Sequence, residues 1–395
     1  MIKRYIGDLV RKGSWYWSKV AILIVVGIFV GDWLTESEYW IDQRYRIYQF
    51  LQNRLPRKPH PQRTVLVLIG DYEYWRGELA GRAPIKRDYL AKVLEVLDSA
   101  NPAVIAFNFD LRSPSPDGNP VEISAYEGET LKLLEAVKLS SHHRKIVLPK
   151  TIGQDNQKNY VSESDIHNGY NFEGGDVLYG YIALPGDTRQ VPLLSLQIQN
   201  GPAIDSFCQA IVRADNEAIL QEHHEEDTLP YGGYMTIDKF TILTANQVLG
   251  RDSEALRKLA HKVVILGANW HKRGFNRGDW IDVYDSPIGG VPGTLIQANY
   301  VEALLDSRIY RPWKGWVLKL IEVIQALMIA IPFAFEMRFL SKTLAVALIS
   351  SFLIAFSLLS LMVFGLFFDF FIPVILVLGH GLIEQIREWK EKAKY

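Results

Sequence analysis

The feature that most constrains this chain is the crowding of its apolar residues into its two ends, around a polar middle. The stretch WYWSKVAILIVVGIFVGDWL (15–34) has an unbroken apolar heart from Val20 to Gly31, with Trp15, Trp17 and Trp33 on its flanks. Tryptophan suits the headgroup depth of a bilayer, where one ring edge stays wet. Three further apolar stretches follow near the other end, at 315–335, 343–364 and 366–384. A helix crosses the hydrocarbon core with about 20 residues. Four transmembrane helices are therefore expected, with 35–313 as the domain between the first and the second. The stretch at 15–34 lacks a small-x-small cleavage site and reads as an uncleaved anchor rather than a signal peptide. Lys319 and Glu322, three residues apart in the second span, are expected to pair near the membrane surface.

Charge sets the orientation. Lys3, Arg4, Arg11 and Lys12 precede the first span, Arg338 and Lys342 lie between the second and third, and Arg387, Lys390, Lys392 and Lys394 follow the fourth. Placing lysine and arginine inside puts residues 1–14 and 385–395 in the cytoplasm and the middle domain outside. Arg308, Arg311 and Lys314 fall on the opposite side in this scheme. A formal net charge of -1 supplies no field for nucleic acid. One cysteine, Cys208, excludes an intrachain disulfide and a cysteine-based zinc site.

Strand and helix signals alternate along the middle domain. TVLVLIG (64–70), AVIAFNFD (103–110), KIVLPKTI (145–152) and KVVILGA (262–268) are β-branched apolar runs that read as buried strands. RDYLAKVLEVLDSA (87–100), with Leu90, Val93, Leu94 and Leu97 on one stripe, reads as a helix, as do 129–139, 207–214, 253–260 and 294–307. Alternation of this kind predicts an α/β fold, with a largely parallel sheet carrying helices on both faces. GYIALPGDTRQVPLLSL (180–196) reads instead as a hairpin turned at Pro185-Gly186-Asp187.

Ligands of such sheets bind beyond the carboxyl ends of the strands. Three strands end in polar groups: Gly70-Asp71, Asp110, and Gly267 with Asn269. A pocket lined by Asp71, Arg87, Asp110 and Asn269 is one expectation. The same carboxylates could instead cap the next turn or helix. The loop after Gly267, ANWHKRGFNRGDWIDVYDSP, admits three readings. His271 could be a general base oriented by Asp279 or Asp282, with Ser286 near in sequence. Lys272, Arg273 and Arg277 could meet an anionic ligand. Trp270, Phe275 and Trp280 could anchor the loop to a membrane or a partner. The run QEHHEED (221–227) reads as a solvated charged face, because adjacent helical residues diverge by about 100° and chelate poorly together. No phosphate loop, HExxH or GxSxG occurs, and no catalytic residue, cofactor or metal is expected.

The ordered series of motifs resembles the type-2 CHASE domain, an extracellular sensory domain associated with cyclases and histidine kinases. IDQRYRIYQFL (41–51) is similar to its opening helix. VLVLIGDYEYW with AGRAPIKRDYLAKVLEVL is similar to its strand, aspartate, proline-basic turn and helix. NPAVIAFNFD, GYIALPGDTRQVPLL, KVVILGANW and SPIGGVPGTLIQANYVEALLDSRI resemble later pieces, and three membrane segments follow. The family's turn carries a tryptophan near the proline, where this chain has Ala83-Pro84-Ile85. After the last span only QIREWKEKAKY remains, so the kinase or cyclase of most relatives is not expected here. The resemblance implies a bacterial inner-membrane sensor that relays a signal through a signalling or assembly protein partner, or through a second copy. A membrane-anchored extracytoplasmic hydrolase and a structural subunit of a membrane assembly are the alternatives.

Overall fold

The computed structural model describes residues 14–35, 37–54, 63–112, 120–163, 165–192, 195–216, 231–306, 308–312, 315–334, 339–367, 378–383, 385–387 and 390. The chain divides into two compact units, one formed by residues 58–309 and the other by 1–57 with 310–395.

The second of these is helical. Helices run over Ser14–Thr35, Glu38–Arg54, Trp316–Ala334 and Phe339–Phe364. Within them, Trp316–Phe333 and Thr343–Met362 are long and apolar enough to cross a membrane, and Trp17–Gly31 is a shorter apolar stretch. Val20 and Ile24 pack with Ala326, Ile329, Ala330, Phe333 and Leu353. Small alanines at the contact let helix backbones approach closely. Glu322 and Gln325 are buried inside this unit. The fourth expected span, 366–384, lies mostly outside the described residues.

Residues 58–309 form a six-stranded parallel sheet. In chain order its elements are β1 (Thr64–Gly70), α1 (Arg87–Ser99), β2 (Val104–Asn108), α2 (Pro120–Ser141), β3 (Lys145–Lys150), β4 (Val177–Tyr181), α3 (Phe207–Asp215), β5 (Thr241–Thr244), α4 (Ala245–Leu249), α5 (Ser253–Leu259), β6 (Val263–Asn269), the hairpin β7 (Val283–Ser286) and β8 (Gly289–Pro292), and α6 (Gly293–Leu305). The strand order is β5-β1-β6-β2-β3-β4, and every neighbouring pair is parallel. The central strand β6 sets Gly267 level with Leu68 of β1 and with Asn108 of β2.

Period-two alternation divides the sheet's side chains between two cores. Val65, Val67, Ile69, Ile105, Phe107, Val264 and Leu266 share one face with Leu90, Leu94 and Leu97 of α1, Val137 of α2, and Val248 of α4. The residues between them, Leu66, Ala106 and Ile265, are equally buried on the opposite face, where α3 and α6 pack. Burial on both faces explains why these strands read as continuous apolar runs. Each fully buried leucine, isoleucine or valine stabilises the fold by about 1.5–3 kcal/mol.

One expectation is corrected. Residues 180–196 do not form a hairpin: Val177–Tyr181 is instead the parallel edge strand β4, paired with β3, and 182–192 continue as a coil. Five consecutive backbone pairs with β3 outweigh a local turn at Pro185-Gly186-Asp187, whose Asp187 bonds to Arg189 instead. Antiparallel pairs form elsewhere, at 152–154 with 160–162, at 196–197 with 203–204, and at β7–β8, which follows the Gly267 loop and closes on Gly289 at φ 98.

Candidate functional site: a cavity at the carboxyl edge of the sheet

Adjacent strands β1 and β6 send their following helices, α1 and α6, to opposite faces. In an open parallel sheet this divergence leaves a crevice beyond the strand ends. A cavity of about 860 Å³ lies there. Its wall is built from the residues that follow the strands: Tyr74 after β1, Phe109 and Asp110 after β2, Thr151 and Ile152 after β3, Ile182 to Leu184 after β4, and Trp270 after β6. Ile281, Asp282 and Tyr284 of the hairpin region and Gly293 and Gln297 of α6 complete it. Its size is that of a small-molecule site, mostly apolar with a few placed polar groups.

Two glycines permit this geometry. A Cβ on Gly267 would meet Thr294 Oγ1 at 2.1 Å, so glycine allows the first turn of α6 to lie directly on β6. Thr294 Oγ1 then accepts a hydrogen bond of 2.8 Å from Asn108 Nδ2, which ties α6 to the end of β2. A Cβ on Gly293 would lie 2.5 Å from Asp282 Oδ2, so glycine also lets that carboxylate approach the helix start. Asp282 itself has φ 54. Burial pushes its carboxyl above the usual range, against a hydrogen bond with the Tyr284 hydroxyl.

Of the four residues expected to line a pocket, Asp71, Arg87, Asp110 and Asn269, the structure places Asp110 on the cavity wall. Asp110 pairs with the Arg112 guanidinium, and Arg112 reaches Glu163 at 3.3 Å. Burial works against ionisation of Asp110, but the hydrogen bonds from Arg112 prevail and hold its carboxyl below the usual range.

Asp71 and Arg87 are occupied by protein groups away from that wall. Asp71 accepts the backbone N–H groups of His271 at 2.7 Å and Asn276 at 2.9 Å, and it bonds His271 Nδ1 at 2.5 Å. Although burial opposes its charge, these bonds lower its pKa. Arg87, buried at the start of α1, donates to Thr130 Oγ1 at 2.5 Å and to the Arg112 carbonyl at 2.7 Å. Burial lowers its pKa. Asn269 ends β6 opposite Gly70, and Lys272 and Arg273 are exposed on the loop beyond.

That loop is ordered by its own backbone. Ile281 N–H donates to the Trp270 carbonyl, Lys272 N–H to Asp279, and Arg277 N–H to Gly274. The His271 ring lies 3.8 Å from the Trp280 ring, and Trp75 Nε1 donates to the His271 carbonyl at 3.0 Å. His271 is therefore oriented by Asp71 rather than by Asp279 or Asp282. Ser286 Oγ donates to the Gly289 carbonyl at 2.6 Å. Of the three loop aromatics, Trp270 is buried and stacked flat on Tyr74 at 4.1 Å, Phe275 lies under the Arg76 guanidinium, and Trp280 is 41% exposed. The QEHHEED run lies outside the described residues. Among the described residues no group of three histidine, cysteine or acidic side chains is placed to hold a metal ion.

Sequence reasoning missed Gln297, and it read the wall residues Trp270 and Asp282 in other roles, as a membrane or partner anchor and as an orienter of His271. The signal available was position: two follow the Gly267 strand, and Gln297 lies one turn into the helix that packs on it.

Comparison with known proteins gives one family. The family model of the CHASE2 domain matches residues 20–334. No curated protein and no solved structure matches the chain.

Proposed function

The chain belongs to the CHASE2 domain family, and on that premise we propose that it is a multi-pass membrane sensor whose α/β unit binds a small organic molecule in the cavity at the sheet's carboxyl edge. CHASE2 is a sensory domain, and the observation that carries the ligand reading is the preformed cavity, positioned where parallel sheets bind ligands. The proposed topology has four spans, with both termini cytoplasmic and the α/β unit outside a bacterial inner membrane. Two helices of sufficient length and the distribution of lysine and arginine support it. The sensor acts without catalysis and passes its state to a signalling or assembly protein, or to a second copy. Exposed Trp280, Val283 and Tyr284 offer a surface for that contact.

The test is a small-molecule screen on the full chain in detergent by thermal shift, repeated on Ala183→Trp, which fills the cavity from the coil after β4. A ligand that raises Tm only in the unfilled protein supports the reading. Hits that bind both proteins alike locate binding elsewhere and overturn it. A protein that copurifies with the chain and responds to no compound shifts the balance to an assembly role.

A further inference from the structure

The wall of the cavity is short of positive charge. Arg112 is shared between two carboxylates, Asp110 and Glu163. Lys150 is held by Asp165, whose side chain is fully buried, at 3.2 Å, and by Asn168 Oδ1. Asp282 has the Tyr284 hydroxyl as its side-chain partner, and exposed Lys272 acts on it only through the field. Three wall carboxylates, Asp110, Glu163 and Asp282, therefore face two wall bases, Arg112 and Lys150, and both bases are already engaged. An anionic ligand would have to displace a carboxylate from Arg112 or Lys150 before it could bind either. A cationic ligand meets in Asp282 a wall carboxylate that, among the described residues, has no base in ion-pair contact.

Two further features suit a cation with N–H donors. Gln297 is 1% exposed; its Nε2 donates to the Ile182 carbonyl at 3.2 Å, and its Oε1 has no protein partner. A buried acceptor left unpaired is costly, so a donor is required at this part of the wall. Phe109, Trp270 and Tyr284 supply aromatic surface on the same cavity wall. Aromatic faces attract organic ammonium groups, and more strongly where water is excluded.

We infer that the cavity takes an organic amine in its ammonium form, with the charge on Asp282, a donor on Gln297 and the apolar body against Phe109 and Trp270. The inference rests on the ligand-binding reading and names the ligand class. Gly293 belongs to the same device, since a side chain there would push the Asp282 carboxylate away from the start of α6.

The experiment uses the full chain in detergent and three probes of one shape and different charge: 2-phenylethylamine, 2-phenylethanol and phenylacetate. Affinities are measured by calorimetry and thermal shift at neutral pH. The amine is expected to bind and raise Tm, with the alcohol and the acid weaker by about tenfold or more. Asp282→Asn is expected to weaken the amine about thirtyfold, the usual consequence of truncating one partner of a desolvated charge pair, while leaving the alcohol unchanged. The comparison of the three probes on the unmutated chain stands even if that variant folds poorly. Equal binding of the alcohol or the acid, or an amine affinity indifferent to Asp282→Asn in a folded variant, overturns the amine assignment and leaves the cavity as a ligand site. Binding of none of the three overturns the amine assignment, and the screen against Ala183→Trp then decides the ligand reading on its own.

Discussion

Asp71, at the end of β1, holds His271 by two atoms at once, accepting its backbone N–H at 2.7 Å and bonding its Nδ1 at 2.5 Å. A third bond, from the Asn276 N–H, makes this one carboxylate the clasp of the loop between β6 and β7. Asp71→Ala leaves those donors without their charged acceptor and is expected to cost about 2 kcal/mol. Because Lys272, Arg273 and Arg277 lie inside the clasped loop, limited trypsin digestion of the variant should cut there first. Unchanged digestion would show that the loop's own backbone bonds suffice. The depressed pKa of Asp71 has a definite sign. Its contribution is complete above the unfolded carboxylate value near 4 and is lost as pH falls through the lower folded value.

The contact between β6 and α6 depends on a missing side chain. Gly267→Ala places a Cβ 2.1 Å from Thr294 Oγ1, where backbone and side chain must both shift. Overpacking of this kind typically costs about 1–3 kcal/mol. The double variant Gly267→Ala with Thr294→Ala removes the first atom struck and should recover part of the loss. Chemical denaturation of all four proteins measures the coupling, and strictly additive losses would mean that the two residues do not meet.

His167 stacks on Tyr179 with a ring separation of 4.8 Å, and neither ring nitrogen has a protein partner. Burial, aided by Lys150, pushes its pKa down to about 4. The folded protein thus binds this proton less readily than the unfolded chain, whose histidine titrates near 6.5. Stability from the neutral ring is complete above pH about 6.5 and falls as the solution is acidified towards 4. His167→Phe should flatten the slope of Tm against pH within that window. An unaltered slope would assign the acid sensitivity to other groups.

Cys208 provides a silent background for a topology measurement. It is fully buried, and burial pushes its thiol up to about 12, so little reactive thiolate exists at neutral pH. Lys239→Cys adds an exposed thiol in the α/β unit. A membrane-impermeant maleimide applied to intact spheroplasts should label this variant and leave the parent protein unlabelled. Labelling that appears only after lysis would place the unit in the cytoplasm.

Much of the sheet was legible because β1, β2, β3 and β6 are buried on both faces, and Val65 to Ile69 or Val263 to Leu266 leave no polar position to obscure the run. The two edge strands were not. VLYGY is only half buried and TILT alternates, so neither carries a continuous apolar signal, and Pro185-Gly186-Asp187 suggested a local turn where long-range pairing with β3 prevails. The rule that ligands bind at strand ends led to the edge where the cavity lies. It could not say whether a carboxylate there faces a ligand or its own chain. Asp71 meets a loop 200 residues away, a partner that spacing along the chain does not reveal.

All thirteen residues of α6, from Gly293 to Leu305, are buried. A helix of that length spans about 20 Å, and close-packed surroundings give it few positions between which to choose. Such an element behaves as a push-rod rather than a spring. If a ligand at Gln297 displaced the helix, the close packing would leave little room to absorb the shift before the Asp306–Arg308 ion pair beyond its other end. Rigidity of this kind is what a mechanical link between the cavity and the far end of the unit would need.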